Sequence, residues 1–262
     1  MVVSVADIGF HQRLGHMLDQ LDAEHFWTTL AAFLRESVTF DSWVVMIFHP
    51  RQPPYVIYEG DSDLVEDTLF NDYVQSLYML DPFYIFSCGN FTPGLYRLAE
   101  VAPEYFRETD YYRLYFAHNV VADEVQFLLP LPAHGVLSLS LGSRRPFGAG
   151  ELGTLCLYTP WILPMLRAAV QRQSTGWNRP PNTAENLENR LRQSGTPHLT
   201  DREVQTALLL LAGHSTKTIA TRMKISPETV KVHRRNLYEK LGVSTQAGIF
   251  ARFMGSVENP PG

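Results

Sequence analysis

The stretch SPETVKVHRRNLYEKLGV, Ser226 to Val243, gathers Lys231, Arg234 and Arg235 in a chain whose formal net charge is -5. Ammonium and guanidinium groups so grouped can neutralise phosphates and donate to guanine O6 and N7. Ser226 suits a helix N-cap, and Pro227 suits the first helical position, where a missing N–H has no consequence. Projection at about 100° per residue collects Val230, Leu237 and Leu241 into an apolar stripe, with His233 and Arg234 at its edges. Lys231, Val232, Arg235 and Tyr238 fall on the opposite side, where Glu228 and Glu239 join them. Taken alone, this mixed face reads equally as a solvated surface or as a contact for DNA.

A second group of residues suggests a different chemistry. Tyr73, Tyr78, Tyr84 and Tyr96, with Tyr111 and Tyr112, lie in one short span around Asp81. Apolar walls carrying a few polar tips are what a small-molecule pocket requires. The same tyrosines could instead complete a core, and Asp81 could be only a cap before Pro82. Signals for catalysis or metal binding are poor. The nine histidines show no H-x-x-x-H spacing, Cys88 and Cys156 have no partner pattern, and G-x-S-x-G is absent. No enzyme, cofactor or metal is therefore expected.

The elements that must position these groups fall into two modules of opposite charge. Residues 1–198 hold 13 arginines, no lysine and 22 acidic residues, whereas residues 199–254 hold 9 basic and 4 acidic ones. A basic module made for a polyanion, joined to an acidic module with another task, is the reading. The polar segment from Ser174 to His198 reads as a linker, with a short helix around residues 186–192. The expected domains are thus 1–173, a linker over 174–198, and 199–262. Two cysteines are too few for a disulfide framework, the N-terminus lacks a signal-peptide pattern, and no membrane span is expected. A cytoplasmic location follows as the expectation.

In the first module, WVVMIFHP from Trp43 and PYVIYEG from Pro54 read as one hairpin, and VADEVQFLLPL with HGVLSLSLGSR as another. GLYRLAEV is a short strand. Helices are expected from Asp63 to Leu80, across PEYFRETDYYRLYFAHN, and from Gly150 to Gln173 with a break near Pro160. The fold class is α+β: an N-terminal α/β/α sandwich with a mainly antiparallel sheet, plus a C-terminal all-α four-helix helix-turn-helix domain.

In the second module TDRE from Thr200 is a capping box, followed by apolar residues at helical spacing up to Gly213. Another helix starts near Ser215 and ends before Ile225, the basic helix follows, and a last one runs from Thr245 to about Met254. A short helix, a tight turn and a longer helix form a helix-turn-helix whose second member enters the major groove.

LTDRE, GHSTKTIATRMKIS and TVKVHRRNLYEKLGV, in this order, resemble the LuxR/NarL-type DNA-binding domain of bacterial transcription regulators. The resemblance implies that Lys231, Val232 and Arg235 reach base edges. It implies that Lys217, Thr229, His233, Asn236 and Lys240 hold the phosphate backbone, with Arg234 beside them. Thr206, Ala207, Gln246 and Gly248 depart from the family's pattern and bear on the contact made by the last helix.

Among the modules that precede this domain in such families, a receiver and a P-loop ATPase each need a lysine that residues 1–198 do not have. A sensor of the autoinducer-binding or GAF-like type remains. YMLDPFYIFS with FTPGLY is similar to the Asp-Pro region of autoinducer-binding domains, which implies that Asp81 accepts from a ligand amide and Tyr96 packs on its head. The Trp and Tyr expected upstream fall near Thr68 and Asp72, so an acyl-homoserine lactone is left open but not favoured. The expected partners are double-stranded DNA, a small-molecule effector and a second copy of the chain. The alternative is a ligand-independent regulator whose N-terminal domain serves dimerisation or protein interaction.

Overall fold

A computed structural model describes residues 7–23, 25–50, 52–60, 68–75, 77–120, 122–131, 135–173, 188, 191–192 and 197–253. Most of the expected linker, and the first turns of the helix expected from Asp63, lie outside the described residues. No helix among the described residues is long and apolar enough to cross a membrane.

Two helices precede the first strand: α1, Ile8–Asp19, and α2, Phe26–Arg35. Asp7 caps α1 by accepting from the Gly9 N–H at 2.9 Å, and α2 buries Phe26, Trp27, Leu30 and Leu34 on one side. The strands are β1, Ser42–His49; β2, Gln52–Glu59; β3, Gly94–Arg97; β4, Asp123–Leu131; and β5, Gly135–Ser143. Among the described residues they form one five-stranded sheet in the order β2-β1-β5-β4-β3, with every neighbouring pair antiparallel. Both expected hairpins are therefore present, and the β1–β5 pairing joins them.

The period of two sorts the strand side chains between the two faces. Val45, Ile47, Val125, Phe127, Leu137 and Leu139 pack against α1, α2 and the long helix α7, Ala149–Gln173. Met46, Phe48 and Leu128 point to the other face, beneath α3, Thr68–Gln75, and α4, Pro82–Ser87. Fully burying a side chain such as Phe127 contributes about 2–3 kcal/mol.

Three expectations are corrected in this module. The strand expected over GLYRLAEV ends at Arg97, and Leu98–Val101 is helical. Helix α7 runs unbroken through Pro160 and Pro164. Both prolines lie on its exposed side, so the carbonyls they deprive of a donor, those of Cys156 and Pro160, belong to exposed residues that water can satisfy. Its opposite side, with Leu155, Tyr158, Ile162 and Leu166, is buried and holds the helix straight against the sheet. The single helix expected over PEYFRETDYYRLYFAHN is also divided. Following the short helix α5, Leu98–Val101, a 3-10 turn covers Phe106–Glu108, and a π-turn at Tyr112–Phe116 leads into α6, Ala117–Asn119. Tyr111, Tyr115 and Phe116 are all buried around that π-turn, which widens the helix to admit them.

The last four helices are α8, Asp201–Leu211; α9, Thr216–Met223; α10, Pro227–Leu241; and α11, Gln246–Phe253. The capping box is formed, with Thr200 Oγ1 accepting from the Glu203 N–H and Glu203 Oε2 from the Thr200 N–H at 2.8 Å. Ser215 and Ser226 cap α9 and α10. Ile219, Val230, Leu237 and Ile249 are buried between the helices.

Candidate functional site

The turn between α9 and α10 is tightened by Lys224, which adopts a left-handed φ of 56° while its N–H donates to α9 carbonyls. Val230, Leu237 and Leu241 anchor the inner side of α10, so the opposite side faces outward. Lys231, Val232, Arg234 and Arg235 are exposed there, and Lys217 is exposed on α9. Lys231 Nζ pairs with Glu228 at 2.9 Å, but both side chains are well exposed, and such a pair is readily exchanged for a phosphate or base. Val232 is 44% exposed, a position suitable for meeting a thymine methyl. The Arg234 guanidinium lies over the Tyr238 ring at 5.3 Å, which keeps its charge on the outer side. Thr229, His233 and Asn236 are half-buried, and the Thr229 hydroxyl shares a 2.8 Å hydrogen bond with Ser226 inside the cap.

Lys240 differs from the role the resemblance implied. Its Nζ donates to buried Glu203 at 2.8 Å and to the His198 carbonyl at 3.3 Å. That ammonium ties α10 to the start of α8, because a carboxylate buried as deeply as Glu203 needs a charged partner. Gln246, one of the residues departing from the family pattern, donates to the Leu210 carbonyl at 2.7 Å and so holds α11 to α8.

The second site lies on the face of the sheet opposite α7. Described residues of β1, β4 and β5, together with α3 and the π-turn helix, line a cavity of about 90 Å³. Tyr73, Tyr111 and Tyr115 supply aromatic walls, and Trp43 borders the cavity from the start of β1. Gly60 is required beside Trp43, since a Cβ there would lie 2.1 Å from the indole nitrogen. The polar groups come from alternate positions of the two central strands. Gln126 stands opposite Ser140 in the β4–β5 register, and Glu124 precedes Gln126 by two residues on the same face. Glu124 Oε1 accepts from the Ser140 hydroxyl at 2.6 Å and from the Gln126 amide at 2.7 Å.

Asp81 enters from the other wall. It caps α4 by accepting from the Phe83 N–H at 2.7 Å, and its second oxygen accepts from the Tyr73 hydroxyl at 2.6 Å. Burial raises its pKa to about 6, against the lowering effect of those donors. Glu124 is pushed further, to about 8, by burial first and then by the charge of Asp81. Burial and the nearby Asp81 likewise hold the Tyr73 hydroxyl protonated well above its usual range.

Of the five tyrosine and aspartate positions expected to touch a ligand, Tyr73 and Asp81 line this cavity, and Tyr78, Tyr84 and Tyr96 do not. Tyr78 is wholly buried in the core, edge-on to Tyr84 at 4.9 Å. The Tyr84 hydroxyl donates to the His49 carbonyl at 3.3 Å. Tyr96 packs on Phe86, and its hydroxyl donates to the Thr92 carbonyl at 2.7 Å. Trp43, Glu124, Gln126 and Ser140 were missed. Their signal was the strict alternation in EVQF and LSLS, since a sheet covered on both faces must bury the polar members too.

The two sites are joined by one segment. The Tyr105 N–H donates to the Gly213 carbonyl at 3.0 Å. Glu104 accepts from the Ser215 hydroxyl at 3.2 Å and from the Thr218 hydroxyl at the start of α9. A few residues on, Tyr111 and Tyr115 form the cavity wall.

Residues 197–251 match the family model described as GerE, bacterial regulatory proteins, luxR family. An HTH-type transcriptional regulator encoded in the exeN 3′ region of Aeromonas salmonicida is 29% identical over 190 residues, covering 69% of this chain and 96% of that protein. The transcriptional regulatory protein UhpA of Escherichia coli strain K12 is 50% identical over 54 residues, which is 21% of this chain and 28% of UhpA. The crystal structure of the VqsR LBD domain from Pseudomonas aeruginosa superposes with a TM-score of 0.58 at 36% identity, covering 63% of this chain and 99% of that one.

Proposed function

Because residues 197–251 match the model of the luxR family of bacterial regulatory proteins, we propose that this chain controls transcription in response to a small molecule held in the cavity of its N-terminal domain. Its relatives are transcriptional regulators, a class without enzymatic activity. In this reading Lys231, Val232 and Arg235 read base edges from the major groove, while Lys217, Thr229, Arg234 and Asn236 hold phosphates, with His233 at the border. A homodimer would present two such helices to half-sites about one helical turn apart.

The observation that carries ligand control is the continuity of residues 104–115. One end of this segment grips α9 through Glu104, and the other end forms the cavity wall through Tyr111 and Tyr115. A molecule that moves those two rings therefore acts on the seat of the DNA-binding helices, which is the differential contact that coupling between sites requires. The similarity to the VqsR LBD domain supports a sensing role for the same fold.

The test is to purify the full chain from its native host, denature it, and identify released small molecules by mass spectrometry. DNA binding is then compared with and without the released compound. A bound compound that shifts DNA affinity supports the reading. A chain that carries none, and binds its operator identically in the presence of host extract, is a ligand-independent regulator.

A further inference from the structure

We infer that the cavity selects a small organic cation, an ammonium or guanidinium on a short apolar body, and that Glu124 is the carboxylate that receives its charge. This inference rests on the reading that the cavity is a ligand site. Among the described residues the lining carries Glu59, Asp81 and Glu124, and no lysine, arginine or histidine. Buried carboxylates without a cation are an expensive arrangement that a positively charged guest relieves.

The two interior acids are not equivalent. Asp81 already has both oxygens engaged, one by the Phe83 N–H and one by the Tyr73 hydroxyl. Glu124 is only 7% exposed, and both of its donors, Ser140 and Gln126, fall on the same oxygen. Its Oε2 receives neither of these hydrogen bonds, and Glu124 lines the cavity, which leaves that oxygen for a guest. Tyr73, Tyr111 and Tyr115 bring aromatic rings to the same space, and ring faces attract cations while giving an apolar chain a surface to pack on. A volume of about 90 Å³ suits a body of a few carbons.

The same arrangement links binding to protons. The groups whose charge reaches Glu124 are Asp81, Asp123 and Tyr111, and the first two raise its pKa in addition to burial. With that value at about 8, the carboxyl is mostly protonated at neutral pH, so a cation must displace a proton to pair with it.

The experiment is isothermal titration of the full-length protein with n-butylamine, 1-butanol, butyrate and N-butanoyl-homoserine lactone, at pH 6.5 and pH 8.0. The amine should bind about tenfold or more tighter than the alcohol, and its affinity should rise about tenfold between the two pH values as the ionised fraction of Glu124 grows. Titration in buffers of different ionisation enthalpy should register release of a proton by the unaltered protein, a measurement that needs no variant. Glu124→Gln should abolish the preference for the amine and its pH dependence. Preferential binding of the alcohol, butyrate or the lactone overturns the cation assignment and leaves ligand control standing. Binding of no probe, or amine binding without proton release, also overturns it, whereas ligand control itself falls only on the separate test with native protein.

Discussion

The backbone N–H of Tyr105 donates to the carbonyl of Gly213 at 3.0 Å, directly where α8 ends and the turn to α9 begins. Gly213 has a φ of +91°, and a Cβ on it would lie 2.8 Å from Thr109 Cγ2 and 2.9 Å from the Tyr105 carbonyl carbon. Glycine is thus required twice, by backbone conformation and by the closeness of the other module. Gly213→Ala is expected to destabilise the chain by about 1–3 kcal/mol and to separate the unfolding of the two modules into two calorimetric transitions. Glu104→Ala should loosen the same contact without backbone strain and likewise separate the two transitions. A single unchanged transition in both variants would show that the contact couples nothing.

Exposed cations on α10 and α9 should separate by the kind of contact they make. Lys231→Ala and Arg235→Ala are each expected to lose about 1–3 kcal/mol of discrimination between the operator and altered sites. Lys217→Ala should weaken all sequences alike and reduce the salt slope by about one. Fluorescence anisotropy on operator and scrambled duplexes across a salt series measures both, and unchanged operator binding by the Lys231→Ala, Arg235→Ala double variant would refute the assignment.

Lys240 should behave as a structural cation. Burial raises the Glu203 pKa, but the Lys240 ammonium and Thr200 outweigh it and bring the carboxyl below its usual range. Lys240→Met leaves that charge without its partner, so the four-helix domain should lose about 2–4 kcal/mol, less than a wholly enclosed pair because Lys240 keeps some contact with water. Urea denaturation followed by circular dichroism reads the loss. An unchanged midpoint together with a shallower salt slope of DNA binding would return Lys240 to the phosphate contacts.

Glu124 should make stability fall with pH near neutrality. Its pKa is raised to about 8 in the folded chain, so between its unfolded value and 8 the folded state holds the proton that the unfolded state has lost, and stability declines as pH rises. Asp81, raised to about 6, acts with the same sign lower down, and His214, lowered to about 4, acts with the opposite sign below its usual value. From pH 6.5 to 8 the Glu124 contribution is the largest of the three, and comparison with Glu124→Gln isolates it. About 1–2 kcal/mol should be lost across that range, and Glu124→Gln should flatten the decline. Thermal denaturation of both proteins at pH 6.5 and 8 checks this, and parallel curves would show that Glu124 does not titrate there.

Much of this was decided by the sequence itself. The helix-turn-helix is written in local terms: Thr200, Ser215 and Ser226 as caps, Gly213 as a stop, and an apolar stripe at helical spacing, none of which needs a distant partner. The hairpins follow from the period of two in the strands. Tertiary structure decided the rest. Lys240 and Lys231 are alike on one helix, yet only Lys240 faces the carboxylate that α8 brings within reach, 37 residues away in the chain. Tyr73 reaches the cavity and Tyr84 does not, because the α4 cap at Asp81 turns the chain between them. Glu124 stands on an alternating strand. It becomes a buried acid only when helices cover the second face of the sheet, since burial and the nearness of Asp81 are properties of packing and not of spacing along the chain.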